Sequence, residues 1–253
     1  MKTKDRKYRA LISTDWNQCL APSGPFDFIT FIYPSLDPEV KAVFKAYTGN
    51  HISLSEAIRR IAILLPKMIT EEQMDTYLDE RFVTYQGVPE LIEWCNKNDV
   101  LFMVNTTGMQ GYFQRAFKKK LLPRVSVVSA HPMIKFKEEG NMPGQWYDLL
   151  EIQDKPKNTQ AVMRASNIPP EKVILIGDSG GDGPHFEWGA RAGAYLIGSM
   201  TKESLSKYCR RSGIEINLQF GLSTLKRQIT DPEKEMRVDF MDLPPFIAGM
   251  LDL

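Results

Sequence analysis

Asp15, Thr106, Thr107, Gly108, Lys155, Lys157, Asp178 and Asp182 are residue types that, brought together, can move a phosphoryl group. A carboxylate attacking an anionic phosphate is repelled unless a divalent cation bridges the two, and Mg2+ takes a few oxygen ligands while keeping several waters. A lysine would neutralise the remaining charge, and a threonine hydroxyl with loop amides would donate to the phosphate oxygens. Two or three carboxylates, a hydroxyl, a glycine and one lysine are therefore the set that phosphoryl transfer through an aspartyl nucleophile and Mg2+ requires. These residues are spread from position 15 to position 182, so the fold has to gather them.

Most of them stand at the end of an apolar run. Tyr8–Thr14 stops at Asp15, Val100–Val104 precedes Asn105-Thr-Thr-Gly108, Val173–Ile176 precedes Gly177-Asp178, and Ala194–Ile197 precedes Gly198-Ser199. Short runs rich in strand formers that end in polar or glycine residues read as buried strands feeding loops. Amphipathic patterns over Pro89–Lys97 and Thr159–Ser166 precede the second and third runs. This alternation predicts an α/β core, a doubly wound parallel sheet covered on both faces. Sheets of that kind carry their working residues at the carboxyl ends of the strands.

Between about residues 34 and 85 the rhythm breaks into three consecutive helix patterns, Pro38–Lys45, Ser55–Leu65 and Glu71–Leu78. A helical insertion after the first strand is expected, giving a core of residues 1–20 and 86–253 and an insert of 21–85. Ser53 with Glu56 three residues on supplies a capping box, and Thr70 a cap for the next helix. Pro132–Gly140 and onward predicts a strand and turn, while the apolar end Phe240–Leu253 predicts either a packed tail or a contact in a homodimer.

Composition narrows the function classes. A chain of 253 residues with 43% apolar and 25% charged side chains can bury a core and is not a disordered sequence. Thirty-two basic against thirty-one acidic side chains leave +1, which supplies no field for nucleic acid or a membrane surface. No run of eighteen apolar residues and no export signal is visible, and three widely spaced cysteines suit reduced thiols, so a cytoplasmic enzyme is expected.

In order and spacing the motif residues resemble those of the haloacid dehalogenase (HAD) superfamily of aspartyl-phosphate hydrolases. Its first motif, D-x-D-x-[TV] after an apolar strand, is met by Asp15-Trp16-Asn17-Gln18-Cys19; the second by Val100–Thr107; the fourth, G-D-x-x-x-D, by Gly177–Asp182. The helical insert resembles the cap of the phosphoserine phosphatase branch. The resemblance implies a Rossmannoid core, Mg2+-dependent hydrolysis of a small phosphorylated metabolite, and Asp15 as nucleophile. It implies as metal ligands Asp15, the carbonyl of Asn17 and Asp178, with Asp182 a ligand or a close support. Thr106, Thr107 and Gly108 would meet the phosphate, and Arg59 or Arg60 of the insert the rest of the substrate. Lys157 stands 21 positions before Asp178, the spacing that favours it over Lys155 as the motif lysine.

One residue departs from the pattern. Asn17 stands where phosphatases of this superfamily place their acid–base Asp, and an amide cannot transfer a proton, a loss of about 10²–10⁴-fold. Slow phosphatase, phosphate-binding pseudoenzyme and a carbon–phosphorus hydrolase resembling phosphonoacetaldehyde hydrolase, with Lys41, Lys45 or Lys67 as its Schiff-base lysine, all remain open. His185 reads as a structural hydrogen bonder more readily than as a replacement base, and Cys19 as a packing residue.

Overall fold

The computed structural model describes residues 7–49, 51–137, 144–223 and 231–253. Ala10–Thr14 (β1) is apolar or hydroxylic and buried throughout, as a strand covered on both faces must be. The chain then leaves the sheet for four helices, Asp27–Ile32 (α1), Asp37–Thr48 (α2), Leu54–Leu64 (α3) and Glu71–Arg81 (α4), with no strand among them in the described residues. It returns through Val88–Lys97 (α5) to Val100–Met109 (β2) and Gln110–Lys118 (α6). Val127–His131 (β3), Gln145–Asp148 (β4) and Asp154–Ser166 (α7) follow. Val173–Gly177 (β5), Gly183–Ala192 (α8), Tyr195–Ser199 (β6), Glu203–Ser212 (α9) and Leu218–Phe220 (β7) complete the core, and Pro232–Met236 (α10) and Pro244–Leu251 (α11) end the chain.

The seven strands form one sheet in the order β4-β3-β2-β1-β5-β6-β7, every pair parallel. Alternate residues of each strand serve opposite faces. Ala10, Ile12, Phe102, Val104, Ile174 and Ile176 pack with α5, α6 and the inserted helices, whereas Leu11, Leu101, Met103, Val173 and Leu175 pack with α7, α8 and α9. The expected doubly wound α/β sheet is therefore present. After β1 the chain winds out one way to β4 and after β5 the other way to β7, so the carboxyl ends of β1 and β5 meet at the crevice where the order switches.

Two local expectations are corrected. No strand forms over 132–137; a turn stands there, with strands before it (β3) and after it (β4), while 138–140 lies outside the described residues. Proline lacks the N–H a ladder needs, and Ile134 is used instead to cover Gly111 at the start of α6, its carbonyl accepting the Gly111 N–H at 2.7 Å. The Ser53 cap forms only half a box: its hydroxyl accepts the Glu56 N–H, but the Glu56 carboxylate is held by Arg59 and Arg60. The full box belongs to Thr70, with Gln73 as its partner. At the far end Phe240, Leu243, Ile247 and Leu251 are fully buried in the molecule's own core, the packed-tail alternative. No helix of the described residues is long and apolar enough to cross a membrane.

The inserted helices are tied to the sheet layer by charge as well as by packing. On α6, Arg115 holds both carboxylate oxygens of Asp75, at 2.7 and 2.5 Å, and reaches Glu71, while Lys119 holds Asp79. Arg115, Lys118 and Lys119 thus meet the acidic face of α4. At the other end, Glu151 accepts the N–H groups of Leu54 and Ser55, capping the start of α3 from outside.

Candidate active site

The turn that follows β1 builds the first part of the site. The Trp16 carbonyl accepts the N–H groups of Cys19, Leu20 and Ala21, and Gln18 takes a left-handed φ of 59°, so the chain reverses within four residues. Trp16 is fully buried edge-on against Phe113, and Cys19 is buried, which makes both of them supports of this loop. The reversal leaves the Asp15 carboxylate and the Asn17 side chain facing a cavity of about 790 Å³.

From β5 comes Asp178. Asp182, one short helical turn later, folds back so that its Oδ2 accepts the N–H groups of Asp178 and Ser179 at 3.0 and 3.1 Å. Its other oxygen accepts from Lys155 Nζ at 2.6 Å, and the same ammonium lies 3.0 Å from Asp15. Lys155 itself is fixed from below, because the Asn105 amide and the Thr159 hydroxyl both donate to its carbonyl and are buried against Ser13 of β1. Ligand oxygens of Asp15, Asp178 and Asp182 all lie within 4.8 Å of one another. Burial raises the carboxyl groups of Asp15 and Asp178 above the usual carboxylate range against the opposing pull of Lys155 and Lys202, and the two neighbouring carboxylates holding Lys155 outweigh its own burial and keep it charged.

Lys155, and not Lys157, is the lysine of this cluster. Lys157 points outward with its side chain 70% exposed and pairs with Asp154 at 2.9 Å. The helix starts at Asp154, earlier than the amphipathic pattern indicates, so Lys155 and Lys157, two positions apart, are turned about 200° from each other. Spacing along the chain could not register that rotation. Arg59 and Arg60 are also not brought to the site; both are exposed on α3, spend their charge on Glu56, and line no part of the cavity. Thr107 faces the cavity, whereas Thr106 is fully buried and donates to Asn17 Oδ1 at 3.3 Å while accepting from Gly108 N–H. A Cβ on Gly108 would lie 2.9 Å from Asn17 Oδ1, so a larger residue there would displace the Asn17 side chain. Lys41, Lys45 and Lys67 do not line the cavity.

Lys202 is the member that sequence reasoning missed. Its ammonium donates to Asp178 and to Gln18. It stands a few residues past the end of β6, where the strand-end rule already pointed, and only the apolar run itself drew notice. Asp178 Oδ1 is buried without a hydrogen-bond partner among the described residues. Three carboxylates face two lysines, so the cluster carries surplus negative charge together with an unsatisfied oxygen, and that donor set fits a hard divalent cation held by oxygens. Asp182 has both oxygens committed, which fits a support more than a ligand.

Two expected results follow from this geometry. Lys155→Met, close in volume, leaves Asp15 and Asp182 buried without their cation, and should lower the unfolding free energy in metal-free buffer by about 3–5 kcal/mol, read by urea titration. A change below about 1 kcal/mol would contradict the pairing. His185 is fully buried with Nε2 2.9 Å from the Thr159 hydroxyl and does not line the cavity, and burial lowers its pKa from 6.5 to about 3. The unfolded chain takes up a proton below pH 6.5 and the native chain does not, so stability falls as pH drops from 6.5 toward 3. Between pH 6.5 and 5 that contribution is about 2 kcal/mol, and His185→Gln should flatten the loss by that amount. An unchanged slope would assign the acid sensitivity elsewhere.

No family model matches the sequence, and no curated protein does. Solved structures do. A structure described as a phospho-aspartyl intermediate analogue of phosphoserine phosphatase superposes with a TM-score of 0.66 at 17% identity, covering 95% of this chain and 99% of that one. A HAD-family hydrolase from Salmonella enterica subsp. enterica serovar Typhi gives 0.63 at 15% identity over 87% of this chain and 70% of that one. Cytosolic 5′-nucleotidase IIIB bound to cytidine gives 0.58 at 12% identity over 96% and 86%. The chain has the fold of these hydrolases.

Proposed function

We propose that this chain, built on the fold of HAD-type phosphatases, is a Mg2+-dependent phosphatase acting on a small phosphorylated metabolite through an aspartyl-phosphate on Asp15. The observation that carries the reading is the buried cluster at the switch point: two carboxylates open to a cavity, one of them with an unpartnered oxygen, and a lysine held between Asp15 and Asp182. Asp15, Asp178 and the backbone carbonyl of Asn17 would hold the cation, whose chemistry is to offset charge repulsion between the attacking carboxylate and the phosphate. An Asp15 oxygen attacks phosphorus and the ester oxygen leaves, taking a proton from solvent; water then attacks the aspartyl-phosphate, losing a proton to solvent, and frees inorganic phosphate and the Asp15 carboxylate. Lys155 holds Asp15 in line and balances its charge, and the Thr107 hydroxyl with neighbouring amides donates to the phosphoryl oxygens. Residues 21–85 serve as the cap, with Phe44 and Tyr47 of α2 facing the cavity.

The side chain of Asn17 supports low turnover. Its amide nitrogen donates to the Ser23 carbonyl at 3.2 Å and its oxygen accepts from Thr106, so it can hold the loop but not protonate a leaving group. The same observation favours the second reading, a phosphate-binding protein without turnover. The Schiff-base reading has no support, since the three candidate lysines stand away from the cavity. Assaying phosphate release from a panel of phosphomonoesters with Mg2+ and with EDTA separates the remaining two. Release that needs Mg2+ is the expected result; phosphate raising the melting temperature with no release from any ester would favour the binding protein.

A further inference from the structure

Resting on this reading of the Asp15 centre, we propose that the substrate carries a second anionic group, a phosphate or a carboxylate, received by Lys207, Arg210 and Arg211 of α9. Ser204, Lys207, Tyr208 and Arg211 recur at the spacing of one helix face, and all four line the same cavity as Asp15, with Arg210 beside them. The opposite face of α9, Leu205 and Cys209, is buried against the sheet. The stripe is anchored at the phosphoryl end, since Ser204 Oγ accepts the Gly180 N–H at 3.0 Å in the loop that carries Asp178. From Ser204 to Arg211 it runs about 10 Å away from that end.

The charge balance along the stripe singles it out. A phosphoryl group at Asp15 is already met by Lys155 and Lys202, so the cations of α9 are surplus to it. Among the described residues Asp15 and Asp178 are the only acids lining the cavity, and both lie at its other end. Lys207 pairs at 3.0 Å with Glu203 of its own helix, and no salt bridge holds Arg210 or Arg211 among the described residues. Arginines in the last turn suit the helix dipole, which accounts neither for Lys207 in mid-helix nor for a cavity wall without acids. Phe44 and Tyr47 stand on the insert side. A cavity of about 790 Å³ is the size of a whole small-molecule ligand, and a substrate spanning from Asp15 to Arg211 fills it lengthwise.

Phosphonates have no ester bond to hydrolyse, so binding can be read without turnover. Calorimetry in Mg2+ with hexylphosphonate, hexane-1,6-bisphosphonate and 7-phosphonoheptanoate compares one anion with two and phosphate with carboxylate. The expected result is that at least one of the two-anion probes binds about 10–100-fold tighter than hexylphosphonate, the range of one charge-assisted hydrogen bond. The ratio should fall below about threefold in Arg210→Ala/Arg211→Ala and persist in Arg210→Lys/Arg211→Lys. Equal affinity for all three probes, or a ratio that survives the alanine pair, overturns this inference alone. If none of the three binds, the phosphoryl site itself fails and both readings fall together.

Discussion

Asp15→Asn is expected to abolish phosphate release, lowering kcat by about 10⁴-fold or more while the protein stays folded. The amide has the shape of the carboxylate, and its oxygen can still accept the Trp16 N–H that Asp15 Oδ1 accepts at 2.6 Å. What it lacks is the anionic oxygen that attacks phosphorus. It also places an NH2 or a neutral oxygen beside Lys155, whose ammonium lies 3.0 Å from Asp15 Oδ2, so part of that ion pair is lost with the nucleophile. Phosphate release followed over long incubations in Mg2+, with circular dichroism as the check on folding, measures both consequences. Equal release from the two proteins would refute nucleophilic catalysis by Asp15.

Asn17→Asp should act in the opposite direction, raising turnover by about 10²–10⁴-fold. The environment of the side chain favours the outcome. One oxygen of the new carboxyl would accept from Thr106, as Asn17 Oδ1 does, while the other would face the Ser23 carbonyl that now accepts from the amide nitrogen. Two acceptors in contact favour the protonated form, because a hydrogen bond made only by the neutral acid raises its pKa. The substitution therefore supplies a carboxyl able to carry a proton two residues from Asp15. Mg2+ affinity should change by less than about threefold, since the proposed ligand at this position is the backbone carbonyl. A protein that stays inactive toward every ester after the change would have lost more than its acid, and the phosphate-binding reading would replace the phosphatase.

The sheet was legible in sequence where its strands are covered on both faces. β1, β5, β6 and the first half of β2, Val100–Val104, are mostly apolar runs because they are buried almost throughout. β4 at the sheet edge, Gln145–Asp148, has no fully buried side chain, and β7 is three residues long, so neither carries a periodic signal. The site divides in the same way. Asp15, Asp178 and Asp182 were found because strand ends fix their place. The choice between Lys155 and Lys157 depended on where a helix begins, a boundary set by tertiary contacts through Asn105 and Ser13. Arg59 and Arg60 have the right chemistry for a substrate anion, yet Glu56 three and four residues away on the same helix claims them both.

The position of β1 in the middle of the sheet also governs the order in which this molecule can assemble. β1 gains β2 once residue 109 has been synthesised, but its second neighbour, β5, is not made until residue 177. Everything from β1 to β4 can therefore form a half-sheet with β1 at its open edge, the strand that leads into Asp15. Closing that edge is a long-range event, slow in the way that pairings of high sequence separation are. It is also the event that brings Asp178 and Asp182 against Asp15. Joining the halves thus works against the mutual repulsion of three carboxylates, which Lys155 of α7, made between β4 and β5, offsets from its place between Asp15 and Asp182. Lys155, proposed above to balance charge in the site, is thus also the counter-charge at the seam between the two halves of the sheet.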